Sequence, residues 1–282
     1  MNLFKTGILL TALTLLFVFL GRLLGGPQGM VTAFVFALLM NLGAYWFSDK
    51  IVLAMYGAKP LSQNEAPELY EIIGELTRKI GLPMPRVYLV ENDSPNAFAT
   101  GRGPTHAAVA VTSGILRLLS RDELRGVLAH ELGHVRNRDI LTMSIAATIA
   151  GAIAMIANMA RWGLMFGGRR DNERRGGALE LVEMLLLLVL APLAATMIQL
   201  AISRTREYGA DASGARLTGS PSGLINALRK LDEASRQIPL TGVNPAAAQL
   251  CIVNPLSGAS LAALFSTHPP IPKRIERLKQ LL

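Results

Sequence analysis

Apolar and polar positions alternate along this chain in long blocks. An apolar run from Gly7 to Leu20, lengthened by Leu3-Phe4 and Leu23-Leu24, meets the turn Gly25-Gly26-Pro27-Gln28-Gly29 and then 18 uncharged residues from Met30 to Phe47. A helix of that length crosses a hydrocarbon core of about 30 Å. The two runs therefore predict an antiparallel membrane hairpin over 1–47, with Tyr45 and Trp46 at interface depth. A signal peptide is the competing reading of the first run, but no small-x-small cleavage site follows it.

From Ser48 to Asp139 the character becomes that of a soluble α+β unit. Ser62-Gln63-Asn64-Glu65 has the form of a capping box, and Leu69, Ile72, Ile73, Leu76 and Ile80 keep helical spacing until Gly81 and Pro83 stop it. Val87 to Val90 and Asn96 to Thr100 are strand-like. The turn Gly101-Arg102-Gly103-Pro104 and a further strand to Thr112 follow, which predicts a small antiparallel sheet. A second capping box, Ser120-Arg121-Asp122-Glu123, opens a helix whose stripe of Leu124, Leu128 and Val135 faces a core.

A second hydrophobic block spans 140–202. Ile140 to Ala160 is 21 residues and Met184 to Ile202 is 19, both uncharged, the latter kinked by Pro192; an arginine-rich connection with Arg169, Arg170, Arg174 and Arg175 joins them. The last part, 203–282, returns to mixed character. It holds a helix from about Arg204 to Gly219, another through Leu224, Leu228 and Leu231, and an amphipathic tail. The tail carries Ile271, Ile275, Leu278 and Leu282 on one stripe, with Lys273, Arg274, Arg277 and Lys279 exposed. The pattern as a whole predicts a predominantly helical α+β integral membrane protein with about four transmembrane helices. Cytoplasmic placement of the polar parts puts Lys5, Lys50, Lys59, Arg136, Arg138, Arg204 and Arg206 inside, as positive charge prefers, but leaves Arg161 and the four connecting arginines outside.

Composition agrees with a bilayer. Hydrophobic residues make up 51% of the chain and charged residues 17%, where soluble domains carry nearer about 25% charged residues. The net charge of +8 comes without nucleic-acid motifs or abundant aromatics, so anionic lipid is its expected counterpart. The lone Cys251 excludes an internal disulfide.

The chemistry lies in Ala129-His130-Glu131-Leu132-Gly133-His134-Val135. On a helix, His130 and His134 project from nearly the same side, so two imidazole nitrogens can reach one metal ion. Glu131 lies one position round, where a carboxylate can hold a water instead of binding the ion. Zinc suits such a set, since a catalytic zinc keeps one coordination position open for water and lowers its pKa. Two histidines hold zinc weakly, and the best candidate for a third ligand is Glu207. It begins a helix, with Asp211 at i+4 on the same face, so one carboxylate can bind metal while the other orients a ligand imidazole. Asn137 and Asp139 fit a helix end better than ligands. An intramembrane-cleaving arrangement is disfavoured by Arg121, Asp122, Glu123, Arg125, Arg136 and Arg138 around the motif. A structural zinc usually takes four protein ligands, often cysteines, and only Cys251 is present.

Four separated motifs, PNAFATG (95–101), HELGH (130–134), SRTREYGAD (203–211) and FSTHPPIPKRI (265–275), resemble the HtpX family of membrane-bound zinc metalloproteases, relatives of the type I CAAX prenyl protease. The resemblance implies a gluzincin-type site with one zinc held by His130, His134 and Glu207, and Glu131 as catalytic base. It also implies a multi-pass bacterial plasma-membrane protein, its active site facing the cytoplasm, that degrades misfolded membrane proteins under stress. In that frame Asn96, Ala97, Phe98 and Ala99 form an edge strand that pairs with an extended substrate, and His268 can donate a hydrogen bond to the oxyanion. Asp211 orients a ligand. Arg204 can brace Glu207 or contact substrate, although a membrane-end anchor accounts for it better. The expected partners are membrane-protein substrates and the bilayer, with self-cleavage and no nucleic acid.

Overall fold

The computed structural model describes residues 2–149, 204–237, 251–252 and 269–281. The chain opens with α1 (Asn2–Met55), two helical arms that meet at a non-helical kink at Gly25 and Gly26. Gly26 takes a φ of 60°, a left-handed conformation that a residue without Cβ enters freely. The arms lie side by side: Asn41 Nδ2 donates to Thr14 Oγ1 at 2.8 Å and to the Leu10 carbonyl at 3.2 Å, and the rings of Phe17 and Phe36 meet edge-on at 5.7 Å. Gly25–Met55 is 31 residues long, and among the described residues it is the one helix long and apolar enough to cross a membrane. Phe34, Phe36, Leu39, Leu42, Trp46 and Phe47 on it are 48–64% exposed, large apolar side chains of the kind that mark a membrane or protein contact when they lie together.

After α1 come β1 (Lys59–Pro60), α2 (Pro67–Ile80), β2 (Arg86–Val90), β3 (Ala97–Thr100), β4 (Ala108–Thr112), α3 (Ser113–Leu118), α4 (Arg121–Arg136) and α5 (Asp139–Ile149). Then follow α6 (Arg204–Thr218), α7 (Ser222–Gln237) and α8 (Ile271–Lys279). The sheet order is β1-β2-β4-β3. It is mixed, which corrects the antiparallel sheet expected from the sequence: β3 pairs antiparallel with β4, but β2 runs parallel to β4. The 91–107 connection makes room for β3 and returns β4 alongside β2. A strand between two neighbours and covered on both faces carries no polar alternation, and Ala108 to Thr112 is buried throughout.

Period-two alternation nevertheless decides what each face meets. Val109 and Val111, with Ala97 and Ala99, pack against α2, α4 and α7, while Ala108, Ala110 and Phe98 pack against Val52, Leu53 and Tyr56 of the hairpin and Met143, Ala146 and Ala147 of α5. The described part of the third hydrophobic segment is therefore buried in protein, not facing lipid. Residues 150–202, which include the rest of that segment, the arginine-rich connection and the fourth segment, lie outside the described residues.

The two capping boxes differ. Ser120 N–H donates to Glu123 Oε2 at 2.8 Å at the head of α4, as expected. Ser62 and Glu65 also bond to each other, at 2.8 Å from the Ser62 N–H, but they close a turn, and α2 starts later, at Pro67. Proline is favoured there because the first helical N–H has no partner to lose.

Small residues let α4 touch its neighbours. A Cβ on Gly126 would stand 2.5 Å from the Leu224 nitrogen of α7. Gly126→Ala is expected to lower stability by about 1–3 kcal/mol, because the clash is with backbone that cannot yield, and this exceeds the helix-propensity gain of about 1 kcal/mol. Thermal unfolding in detergent checks it; an unchanged midpoint would mean that the crossing has slack.

Candidate metal centre

Helix α4 is held by the core on the side of Leu124, Leu128, Leu132 and Val135, all buried. That leaves His130 and His134 directed at α6. The approach of α6 depends on Gly214, where a Cβ would lie 3.0 Å from the His130 nitrogen, and on Gly133, where one would lie 3.4 Å from the Ala210 Cα. Close contact brings Glu207 beneath the two imidazoles. The ligand atoms of His130, His134 and Glu207 all lie within 4.8 Å of one another, and all three residues are buried.

The two Nε2 atoms face each other at 3.2 Å. Glu207 Oε1 stands 3.4 Å from His134 Nε2, and Oε2 stands 3.7 Å from His130 Nε2. Each ring is oriented from behind: His130 Nδ1 lies 2.9 Å from Asp211 Oδ1, and His134 Nδ1 lies 3.2 Å from Asp139 Oδ2. A carboxylate at Nδ1 fixes both tautomer and ring plane, and raises the basicity of the opposite nitrogen. Two inward Nε2 atoms and a carboxylate converging on one buried point form a donor set that fits a metal ion.

The electrostatics favour a cation there. Burial disfavours the charged form of His134, yet hydrogen bonds to Asp139 and Glu207 outweigh it and push its pKa up to about 10. The carboxylates that attract a proton to this imidazole attract a metal cation in the same way. For Glu131 burial dominates and raises the carboxyl above its ordinary range, with Glu207 adding to the rise and the two histidines and the Ala99 N–H opposing it. Glu131 is not among the three converging groups. Its Oε2 accepts the Ala99 N–H of β3 at 2.9 Å, which sets it between the metal point and the sheet edge.

The structure corrects one reading and adds to another. Arg274, expected on the solvent face of α8, is fully buried. Its Nε and Nη2 donate to Asp211 at 2.9 and 2.6 Å, and Nη1 lies 3.8 Å from Glu207 Oε2. An apolar stripe excludes charge only when no partner waits beneath it, and here two carboxylates do. Asp139, expected at a helix end instead of among the ligands, does begin α5 and lies outside the converging set; what the sequence did not show is that it is 1% exposed and contacts His134.

Asp211 stands behind His130, 2.9 Å from its Nδ1. Asn96 faces into the protein: its Oδ1 accepts from Ile252 N–H at 3.1 Å and its Nδ2 lies 3.4 Å from Cys251 Sγ. Phe98 stacks on Tyr56 with centroids 4.4 Å apart, while Ala97 and Ala99 line the side of β3 toward α4. Strand β3 is at the sheet edge, as expected. Arg204 is the first residue of α6; its side chain, and the whole of His268, lie outside the described residues. Burial pushes the Cys251 thiol up to about 12, which removes it as a nucleophile or ligand at neutral pH.

The chain has relatives among known proteins. A family model described as peptidase family M48 matches residues 63–282. A protease HtpX homologue of Syntrophobacter fumaroxidans is 57% identical over 99% of this chain and 99% of its own. One of Pyrococcus furiosus is 54% identical over 98% of this chain and 95% of its own. Among solved structures, the crystal structure of S. mikatae Ste24p matches with a TM-score of 0.53 at 20% identity, which is a likeness of fold. That match covers 94% of this chain, which spans 61% of the Ste24p chain.

Proposed function

The chain belongs to peptidase family M48 and is a metalloprotease, and from that premise we propose that it is a membrane-bound, zinc-dependent endopeptidase acting on membrane proteins. The observation that carries the reading is the meeting of His130, His134 and Glu207 within 4.8 Å, with Glu131 beside them and bonded to the edge strand. Zinc is the ion favoured by two imidazoles and one carboxylate. Two nitrogens bound to one tetrahedral zinc stand about 3.3 Å apart, and the observed separation is 3.2 Å.

His130, His134 and Glu207 would hold the ion, which when bound polarises a peptide carbonyl and acidifies water. An extended substrate lies along the Ala97–Ala99 edge of β3, its backbone pairing with the strand. Glu131 takes a proton from the attacking water and delivers it to the leaving amine. Its raised pKa brings it nearer the range in which a carboxylate can do both. Asp211 and Arg274 hold His130 in place. His268, next in sequence to Pro269, would donate a hydrogen bond to the oxyanion.

The setting supports membrane clients. The hairpin packs against the sheet that carries β3, and α5 starts at Asp139, against a ligand histidine. On this reading four spans, the second pair within 140–202, hold a cytoplasmic active site at the bacterial plasma membrane. Its task there is quality control of misfolded or damaged membrane proteins.

The test uses full-length, chelator-stripped protein in detergent, titrated with zinc, with casein and an unfolded membrane protein as substrates. Hydrolysis is expected to rise with zinc and level off at about one ion per chain. Binding of one zinc without hydrolysis of either substrate would replace this reading with a structural metal.

A further inference from the structure

Helix α4 ends at Arg136, and α5 begins three residues later. In one continuous helix Asp139, five positions past His134, would point about 140° away from it. Arg138 breaks the continuity by taking a φ of 58°, a conformation that a non-glycine residue enters only under constraint. The turn swings Asp139 back beneath the preceding helix, where its Oδ2 reaches His134 Nδ1 at 3.2 Å. Asp139 is 1% exposed and His134 2%.

Helix α5 makes two further attachments. Ser144, fully buried, lies 2.7 Å through Oγ from Thr100 Oγ1 and accepts the Gly101 N–H at 3.2 Å. Thr100 ends β3, one residue after the Ala99 whose N–H is bonded to Glu131. On its other side α5 packs Leu141, Ile145 and Ile149 against Leu10, Phe17, Met40 and Tyr45 of the hairpin. A single helix of about three turns therefore touches a metal-ligating imidazole, the end of the edge strand and the membrane hairpin.

We propose that α5 is a bracket between the metal site and the edge strand: Asp139 is a positioning residue for His134, and Ser144 is a positioning residue for β3. The proposal rests on the reading of His130, His134 and Glu207 as the metal site and of β3 as the substrate edge. Its two ends act on different quantities. Asp139 fixes an imidazole and so governs metal affinity, which in such pairs changes about 10–100-fold when the outer partner is lost. Ser144 fixes the strand on which substrate lies and so governs KM.

The experiment measures zinc affinity by chelator competition, the visible spectrum of the cobalt-substituted protein, and kcat and KM on a peptide. It uses full-length wild type, Asp139→Asn, Asp139→Ala and Ser144→Ala in detergent. Expected is a graded loss of zinc affinity, wild type over Asn over Ala, reaching about 10–100-fold, with a changed cobalt spectrum. Ser144→Ala is expected to bind zinc as wild type does and to show a raised KM with kcat kept. Wild-type zinc affinity and cobalt spectrum in folded Asp139→Ala would overturn the role of Asp139. An unchanged KM in Ser144→Ala, or a loss of zinc affinity as large as that of Asp139→Ala, would overturn the division between the two ends. Glu207→Gln run in parallel tests the underlying reading separately, since retained zinc affinity there would count against the ligand set whatever the other variants did.

Discussion

Replacing Glu131 by glutamine is expected to leave zinc content at the wild-type level and to lower kcat/KM by about 10²–10⁴-fold, the usual contribution of a positioned general base. Glutamine has the size of glutamate, and its amide oxygen can still accept the Ala99 N–H that Glu131 Oε2 accepts at 2.9 Å. The three groups that converge on the candidate metal point are other residues, so the substitution leaves that set unchanged. On the proposed mechanism the substitution removes the group that takes the proton from water and returns it to the amine, a loss of about 3–5 kcal/mol of transition-state stabilisation. Metal analysis with peptide hydrolysis on the same preparation checks both halves. Intact mass supplies an independent check, with wild type expected to cleave itself on zinc addition while the variant stays whole. Proteolysis retained in the variant would remove Glu131 from the mechanism.

The second large effect is on stability. Arg274→Met is expected to cost about 3–5 kcal/mol, because it leaves the buried Asp211 and Glu207 without their cation. Burial alone would raise the Asp211 carboxyl; the charge of Arg274 and the contact with His130 overcome that and hold it at about 2. A carboxyl depressed in this way stabilises the fold fully above its unfolded pKa of 3.8. That contribution is lost as pH falls through about 2. With Arg274 gone the burial of Asp211 raises its carboxyl above the unfolded value, so the gap in stability between wild type and Arg274→Met should begin to narrow as that carboxyl takes up a proton, above about pH 4, and close as the wild-type carboxyl is protonated in turn. Chemical unfolding followed by tryptophan fluorescence across that range measures it, and a gap that persisted unchanged down to about pH 2 would mean that Arg274 acts by packing alone.

Arg274 also shows how far the sequence could be read. It stands three residues after Ile271 and four before Leu278, so helical periodicity alone places it on the buried stripe of α8. Its neighbours Lys273, Arg277 and Lys279 made solvent the simpler destination for a charge. The missing information was the partner, Asp211, 63 residues away in the chain. Asp139 was hidden differently. Its spacing from His134 suits an opposite face, and only the left-handed turn at Arg138 reverses that. Arginine carries no mark of such a turn, as glycine or asparagine would.

What was legible rested on local periodicity with a chemical requirement attached. His130 and His134 four apart, and Glu207 with Asp211 four apart, each describe one helix face, and two faces that need a common ion leave few ways to meet. The same kind of reasoning found β3 at the sheet edge and the capping box of α4. It missed the parallel pairing of β2 with β4, because period-two alternation decides which face a residue takes and not which strand lies beside it. Apolar length does not say what covers a helix: over Asp139–Ile149 the third apolar run packs between the hairpin and the sheet, and the rest of that run lies outside the described residues.

X-ray absorption at the zinc edge of the full-length, zinc-loaded protein tests the metal centre most directly. The expected result is a first shell of nitrogen and oxygen only, at about 2.0–2.2 Å, with the outer-shell pattern of two imidazoles, and loss of stoichiometric zinc in Glu207→Gln. A sulfur scatterer at about 2.3 Å, or an unchanged first shell in Glu207→Gln, would contradict it.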